Sequence, residues 1–229
     1  MMDYVGNPQR RLKFVHVAGT NGKGSTCAMI SECLMASGYD VGTFTSPYME
    51  KYTNRIQFNG EDIPEETVLE LTNIFLPIVR QLADSELGSP TMFEVTTAIA
   101  LFYFSKKAIP DYVIWETGLG GRQDVTNIVY PVASVITNIG HDHMEILGDT
   151  IEEIALEKAG IIKAGMPVIT ACAQPEAVQV LEKVAAEKNS TLYLLNRDFS
   201  YEITEMKEGE TTFLFRGPYC EYGPLKLSL

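Results

Sequence analysis

The stretch Gly19-Thr20-Asn21-Gly22-Lys23-Gly24-Ser25 carries the clearest chemistry in the chain. Its glycines let backbone N–H groups turn inward around an anion, and a helix starting there adds the partial positive charge of its N-terminus. Lys23 then reaches the β- and γ-phosphates of a nucleotide. The next residue is Gly24, where the common phosphate loop has a Ser or Thr that ligates Mg²⁺. Ser25 is left to cap the helix or touch a phosphate, so a metal must find hard oxygen ligands elsewhere. The plainer alternative is a glycine turn with a surface lysine. The strand-like run before the loop and the helical run after it argue against that alternative.

Three positions answer the need for ligands. Ser46 follows the β-rich run 41–45, and Glu116 ends the run 111–116. His143 lies in Gly140-His141-Asp142-His143, after the run 132–137. Ligands of open α/β sheets collect at the carboxyl ends of strands, which places all three on the edge that holds the glycine loop. Each position also has an ordinary reading. Ser46-Pro47 reads as a turn, Glu116 as a solvated strand-end charge, and the His-Asp-His stretch as a hydrogen-bonded loop. Gly118-Leu119-Gly120-Gly121 lacks the third glycine of a dinucleotide fingerprint at the required spacing, so NAD is rejected.

The elements that must hold these residues alternate. Residues 12–18 read as a strand. Residues 23–37 read as a helix with apolar Ala28, Met29, Leu34 and Met35, closed by Gly38. Residues 41–45 form a second strand, and 46–60 a long polar loop. Pro64, Glu65 and Glu66 open a helix whose apolar face runs through Val68, Leu71 and Phe75. After a linker at 84–90, residues 91–107 form a mostly buried helix. Strands follow at 111–116 and 132–137, then an acidic helix at 151–159 ending at Gly160. A strand at 167–170, a helix at 175–188 and a strand at 191–195 complete the alternation. The tail carries strand-like pieces at 201–205 and 211–215. The pattern predicts an α/β fold: a phosphate loop on a mostly parallel sheet flanked by helices, with a small antiparallel β appendage near the C-terminus.

Composition narrows the function. Lys and Arg total 18 against 30 Asp and Glu, a net charge of −12. That excludes the positive surface a nucleic-acid binder needs, and a polybasic membrane anchor. The hydrophobic fraction is 45% with a mean hydropathy of zero, enough for a core. No apolar run reaches membrane-spanning length, and residues 1–12 contain no secretory apolar segment. Four cysteines (Cys27, Cys33, Cys172, Cys220) form no CxxC pair and read as reduced thiols of a cytoplasmic protein.

Several motifs fall in one order. They are the loop at 19–25 after FVHVA, Thr45-Ser46-Pro47, Asn54-Arg55-Ile56, Phe93-Glu94, Trp115-Glu116-Thr117-Gly118-Leu119-Gly120-Gly121-Arg122, Asp142-His143 and Glu157-Lys158-Ala159-Gly160-Ile161. Together they span residues 6 to about 167 and resemble the folylpolyglutamate synthase/dihydrofolate synthase branch of the Mur ligase superfamily. The resemblance implies an ATP-dependent ligase. ATP phosphorylates a carboxylate on dihydropteroate or on a folate's glutamyl tail, and L-glutamate's amino group attacks the acyl phosphate. It implies ATP and Mg²⁺ as cofactors. The phosphates lie against Gly19, Thr20, Asn21, Gly22, Lys23, Gly24 and Ser25. Ser46 and Glu116 hold one Mg²⁺, and His143 joins Glu116 at a second. Lys158 matches a lysine that is carbamylated in the family, its carbamate serving that second metal. Read directly, Lys158 is a helix lysine able to pair with Glu153 or Glu157. Lys23, Glu116, His143 and Lys158 form the implied catalytic set. The loop after Ser46 matches a mobile loop near the folate, and the turn 121–127 lies near the substrate channel.

Two departures stand out within these motifs: Tyr48 replaces a usual His, and Asn54 replaces a common Glu. The larger difference is length, since family members run to about twice this size. The expected arrangement is an ATPase domain over 1–199, its truncated appendage over 200–229, and an absent C-terminal ligase domain. A monomer is expected, binding small molecules and neither nucleic acid nor membrane. Two alternatives stay open: a non-catalytic nucleotide-binding fragment, and a cell-wall precursor amino-acid ligase, against which the KGS loop and TSP turn count.

Overall fold

The computed structural model describes residues 1–228. Strand β1 (Phe14–Ala18) lies inside an eight-stranded sheet, between β5 (Tyr112–Glu116) and β6 (Pro131–Ile136). Both pairings are parallel, with Val17 opposite Glu116 and Ala18 opposite Ile136. On one side β2 (Val41–Phe44) continues the parallel order. On the other, β7 (Val168–Thr170) and β8 (Leu192–Leu194) do the same. Phe14, Val17 and Ala18 are fully buried, as befits a strand covered on both faces. The predicted parallel sheet is therefore present.

The stretch 46–60 differs from the expected loop. Residues Tyr52–Arg55 make a helical turn, β3 (Ile56–Phe58) pairs antiparallel with β2, and β4 (Glu61–Asp62) pairs with β3. Asn59 and Gly60 turn between them with φ of 51° and 79°, a left-handed pair suited to a tight hairpin. Three-residue strands carry too few apolar side chains to show a period, and only Ile56 of this one is fully buried.

Helix α1 (Lys23–Ala36) follows β1 as expected, with Leu34 and Met35 half-buried against the core. Cys27 and Ser31 are its buried residues, whereas Met29 is 40% exposed. Small side chains let the helix lie close to the sheet, and Ser31 Oγ meets Thr43 Oγ1 of β2 at 2.9 Å. Helices α2 (Glu65–Ala83) and α3 (Met92–Tyr103) build the larger core, with Phe75 and Leu101 packed around Phe14, Phe44 and Trp115. Here α3 stops short of 107, because residues Phe104–Ala108 widen into a π-turn. The short α4 (Met144–Leu147), α5 (Ile151–Ala159) and α6 (Pro175–Glu187) cover Ile136, Ile161 and Val168 in a second core. Three antiparallel strands, β9 (Ser200–Lys207), β10 (Glu210–Arg216) and β11 (Glu221–Ser228), form the separate small sheet.

One junction ties these layers to the sheet edge. The turn after β5 is pressed against the end of α5, and Arg122 N–H donates to Glu157 O at 2.7 Å. The Arg122 guanidinium closes on the Glu157 carboxylate at 2.5 Å. A Cβ on Gly160 would sit 2.2 Å from Arg122 Cα, and one on Gly121 2.9 Å from Glu157 O. Only glycine allows this approach. Gly160→Ala is expected to destabilise the chain by roughly 1–3 kcal/mol through forced backbone displacement. Urea denaturation checks this, and an unchanged midpoint would remove the packing argument.

Candidate nucleotide and metal site

The glycine loop occupies the gap between the end of β1 and the first turn of α1. Gly22 caps that helix at φ 78°. Gly19 has φ 152°, and a Cβ there would fall 1.8 Å from Thr137 Oγ1. The loop is tied to the residues just past β6. Asn138 accepts from Thr20 N at 3.1 Å through its carbonyl and from Asn21 N at 2.9 Å through its side chain. Thr137 Oγ1 donates to Asn21 O at 2.6 Å, and Gly140 N donates to Thr20 Oγ1 at 3.0 Å. Lys23 Nζ is drawn into the loop, donating to Gly19 O at 3.0 Å. Thr137 and Asn138 escaped the sequence reading, and their place at the end of an apolar strand was the one available signal.

Glu116, the last residue of β5, is only 3% exposed. Its Oε2 accepts the Ser46 N–H at 3.0 Å. Burial raises its pKa, while that N–H and the charge of Lys23 act in the opposite direction. Glu116, Ser46, Gly22, Gly24 and Ser25 line one cavity of about 610 Å³. Sequence positions 19–25, 46 and 116 are thus brought together.

Lys158, near the end of α5, is also 3% exposed. Neither neighbouring glutamate pairs with it. Glu157 is held by Arg122, and Glu153 turns back to receive Asp149 N and Thr150 N. Burial, reinforced by the charge of Lys23, brings its pKa down to about 8, against a smaller opposing pull from Asp142. Near neutrality most of these amines keep the proton, but the free, nucleophilic fraction, roughly a tenth at pH 7, is far larger than for an ordinary lysine.

His143 stands apart. Its side chain is 53% exposed, its φ is 49°, and its Nε2 lies 3.7 Å from Asp142 Oδ1. No hydrogen bond or ion pair joins it to Glu116 or Lys158 among the described residues. Nor do three His, Cys, Asp or Glu side chains gather there as a metal cluster. The hard oxygens that suit Mg²⁺ are the Ser46 hydroxyl and the Glu116 carboxylate, which share the cavity wall.

Residues 17–217 match the Mur ligase middle domain. The chain belongs to the Mur ligase family. It is 54% identical over 185 residues to the dihydrofolate synthase/folylpolyglutamate synthase of Bacillus subtilis, covering 81% of this chain and 43% of that protein. Crystalline folylpolyglutamate synthase of Thermotoga maritima superposes with a TM-score of 0.93 at 39% identity, covering 100% of this chain and 52% of that one. A folylpolyglutamate synthase complexed with AMPPCP and folate gives a TM-score of 0.92 at 35% identity, covering 99% and 55%. The chain thus spans about half the length of the relatives it matches.

In this Mur ligase domain the turn beyond Glu116 is braced by a network that sequence reasoning missed. Asp124 Oδ2 accepts Leu119 N–H at 2.8 Å, and its Oδ1 accepts both the N–H and the hydroxyl of Thr126. Trp115 Nε1 donates to Thr126 O at 3.0 Å. The Thr126 hydroxyl spends its only proton on Asp124, so His16 Nε2, 3.1 Å away, must be the donor to it. That fixes the tautomer and leaves His16 Nδ1 a buried acceptor without a partner. Burial, aided by Lys163, lowers the His16 pKa to about 3, so the ring stays neutral. The strand pair carrying the loop and Glu116 is thereby fastened to the turn that leads to β6 and packs against the end of α5. Within that turn, no residue type or spacing marked Asp124 or Thr126 as bracing.

The buried Lys158 has a measurable consequence. Its folded pKa near 8 lies below the ordinary 10.5. The unfolded chain therefore holds more protons between those values, and stability rises with pH across that window. Lys158→Met is expected to raise stability at pH 7 by roughly 1–3 kcal/mol and to flatten the rise. Denaturation at pH 7, 8.5 and 10 checks this. The same slope in the variant would show that Lys158 is not the group responsible.

Proposed function

We propose that this chain is the ATP- and Mg²⁺-binding half of a ligase that joins L-glutamate to a folate, to dihydropteroate, or to both. The observation that carries this reading is the meeting of Lys23 and its glycine loop with Ser46 and Glu116 at one wall. Its support is the similarity to folylpolyglutamate synthases, one of them complexed with AMPPCP and folate. Residues 1–199 form the ATPase body and 200–229 its appendage. The remainder of the ligase closes over ATP and glutamate, and the protein works as a cytoplasmic monomer.

The assigned roles follow from the local chemistry. The loop N–H groups and Lys23 bind the phosphates and offset their charge. Ser46 and Glu116 supply oxygen ligands to Mg²⁺, which screens the phosphate charge when bound. The neutral Lys158 amine adds to CO₂: an N–C bond forms, one C=O π pair moves onto oxygen, and a proton leaves to solvent. The resulting carbamate is an anion able to serve a second metal with His143. For His143 to take that part, its exposed side chain must swing toward Glu116. Ligation itself is two displacements. The substrate carboxylate takes the γ-phosphoryl group and releases ADP. The glutamate amine then attacks the acyl carbon, phosphate leaves, and the amine loses a proton. The domain's main contribution is positioning and charge neutralisation. A cell-wall precursor ligase would share the loop, and the two are separated by whether folate or a peptidyl precursor supports glutamate-dependent ADP release.

Calorimetric titration with AMPPCP tests the nucleotide half on this chain alone. Binding is expected to strengthen with Mg²⁺, and Lys23→Ala to weaken it by about tenfold or more. Glu116→Ala is expected to abolish the Mg²⁺ enhancement while leaving metal-free binding in place. Unaltered affinity in Lys23→Ala would overturn the phosphate-loop assignment. An unaltered Mg²⁺ dependence in Glu116→Ala would remove that residue as a ligand.

A further inference from the structure

The residue at issue is Arg55, which closes the helical turn just before β3. Its guanidinium carbon lies 5.0 Å from the centre of the Tyr48 ring and 5.9 Å from that of Phe93. Phe93 packs on Phe44 at 6.0 Å, and Phe44 stacks on Trp115 at 4.3 Å. The aromatic column thus runs from the residue before Glu116 out to Arg55. The Arg55 carbonyl accepts Thr45 N–H at 3.0 Å, which sets this residue beside the chain entering Ser46.

The turn is held firmly. Asp62 accepts from Thr53 Oγ1 at 3.0 Å, Asn54 Nδ2 at 2.7 Å and Gln57 Nε2 at 2.8 Å. Asn54 Oδ1 in turn accepts Glu50 N and Lys51 N, and the Tyr52 hydroxyl donates to Thr96. Yet the guanidinium itself, though half-buried, has no carboxylate partner among the described residues. Arg122, Arg197 and Arg216 all have one. Arg10, Arg11 and Arg80 also lack one among the described residues, but Arg55 is the arginine that lies against two aromatic rings as well. Aromatic rings bind the faces of a guanidinium and leave the in-plane N–H groups free. That edge is the geometry that recognises a planar carboxylate through two parallel hydrogen bonds.

We propose that Arg55 receives the carboxylate-bearing tail of the acid substrate and sets it beside Ser46 and Glu116. The assignment rests on the folate-ligase reading above. It makes Arg55 a determinant of specificity for acids over their neutral analogues. Tyr48 is part of the device, since its ring lies against the guanidinium. The phosphates have their own cationic partner in Lys23, so nucleotide binding does not depend on Arg55.

The test uses the intact ligase containing this chain, with pteroylglutamate and its diamide, in which both side-chain carboxyls are carboxamides. The unsubstituted enzyme is expected to bind the acid about tenfold or more tightly than the diamide. Arg55→Met is expected to bind both alike, with AMPPCP affinity unchanged. Arg55→Lys keeps the charge but not the fork, and is expected to recover only part of the discrimination. Full discrimination retained in Arg55→Met would overturn the assignment. So would a parallel loss of AMPPCP affinity, which would mark Arg55 as a structural support. If the unsubstituted enzyme binds AMPPCP with Mg²⁺ but neither pteridine, the folate reading fails and this assignment falls with it. If it binds pteroylglutamate and Arg55→Met leaves that binding unchanged, only this assignment fails.

Discussion

Strand β1 is hydrogen-bonded on both sides to strands that run in its own direction, and every candidate group depends on that arrangement. Parallel pairing aligns carboxyl ends. With Val17 opposite Glu116 and Ala18 opposite Ile136, the loop after β1 emerges between Glu116 and the segment 137–140. The requirement for glycine at position 19 follows from the same pairing. Thr137 stands where a side chain would go, and its hydroxyl fastens the loop instead. A shift of one residue between β1 and β5 would turn Glu116 to the other face relative to the loop, and one between β1 and β6 would detach the loop from its support.

The electrostatics of this edge are local. The chain carries a net charge of −12, yet two cations lie near this edge, Lys23 and Lys158, and the charge of Lys23 helps to disfavour the proton on Lys158. Glu116 is buried beside them with one backbone donor. Such an arrangement is costly for isolated charges and suits a polyanion with a divalent ion, which neutralises both signs at once. The low pKa of Lys158 and the raised pKa of Glu116 have the same main cause, removal of water. The neutral His16 shows how the fold treats a buried titratable group outside that edge. It is held in one tautomer and given a bracing role.

Two packing devices transmit order from the core to the site. Small residues, Cys27 and Ser31, bring α1 close to the sheet, and Gly121 with Gly160 brings the turn after β5 against α5. The aromatic stack of Trp115, Phe44 and Phe93 carries the core outward to Arg55. Glycines and aromatics thus divide the work: the first permit close backbone approach, and the second fill the space beside it.

Much of this was readable along the chain. The glycine loop, the alternation of strands and helices, and Ser46 and Glu116 at strand ends are local patterns, because a phosphate loop needs fixed residue types at fixed spacing and a strand end follows from its apolar run. The order of motifs also led to the Mur ligase family. Other features were settled only by tertiary structure. The short β3 was too brief to show a period, and the fully buried residues of α1 are the small Cys27 and Ser31, with Ile30, Leu34 and Met35 packed beside them half-buried. Lys158 reads in sequence as a helix lysine beside two glutamates; in the fold Arg122 takes Glu157, Glu153 caps its own helix, and the lysine is left buried with no ion-pair partner among the described residues. Arg55, Asp124 and His16 likewise owe their roles to residues between 2 and 110 positions away. A sequence specifies which groups are present and their local geometry. Which of them lose water, and which partners they meet, is decided by long-range packing.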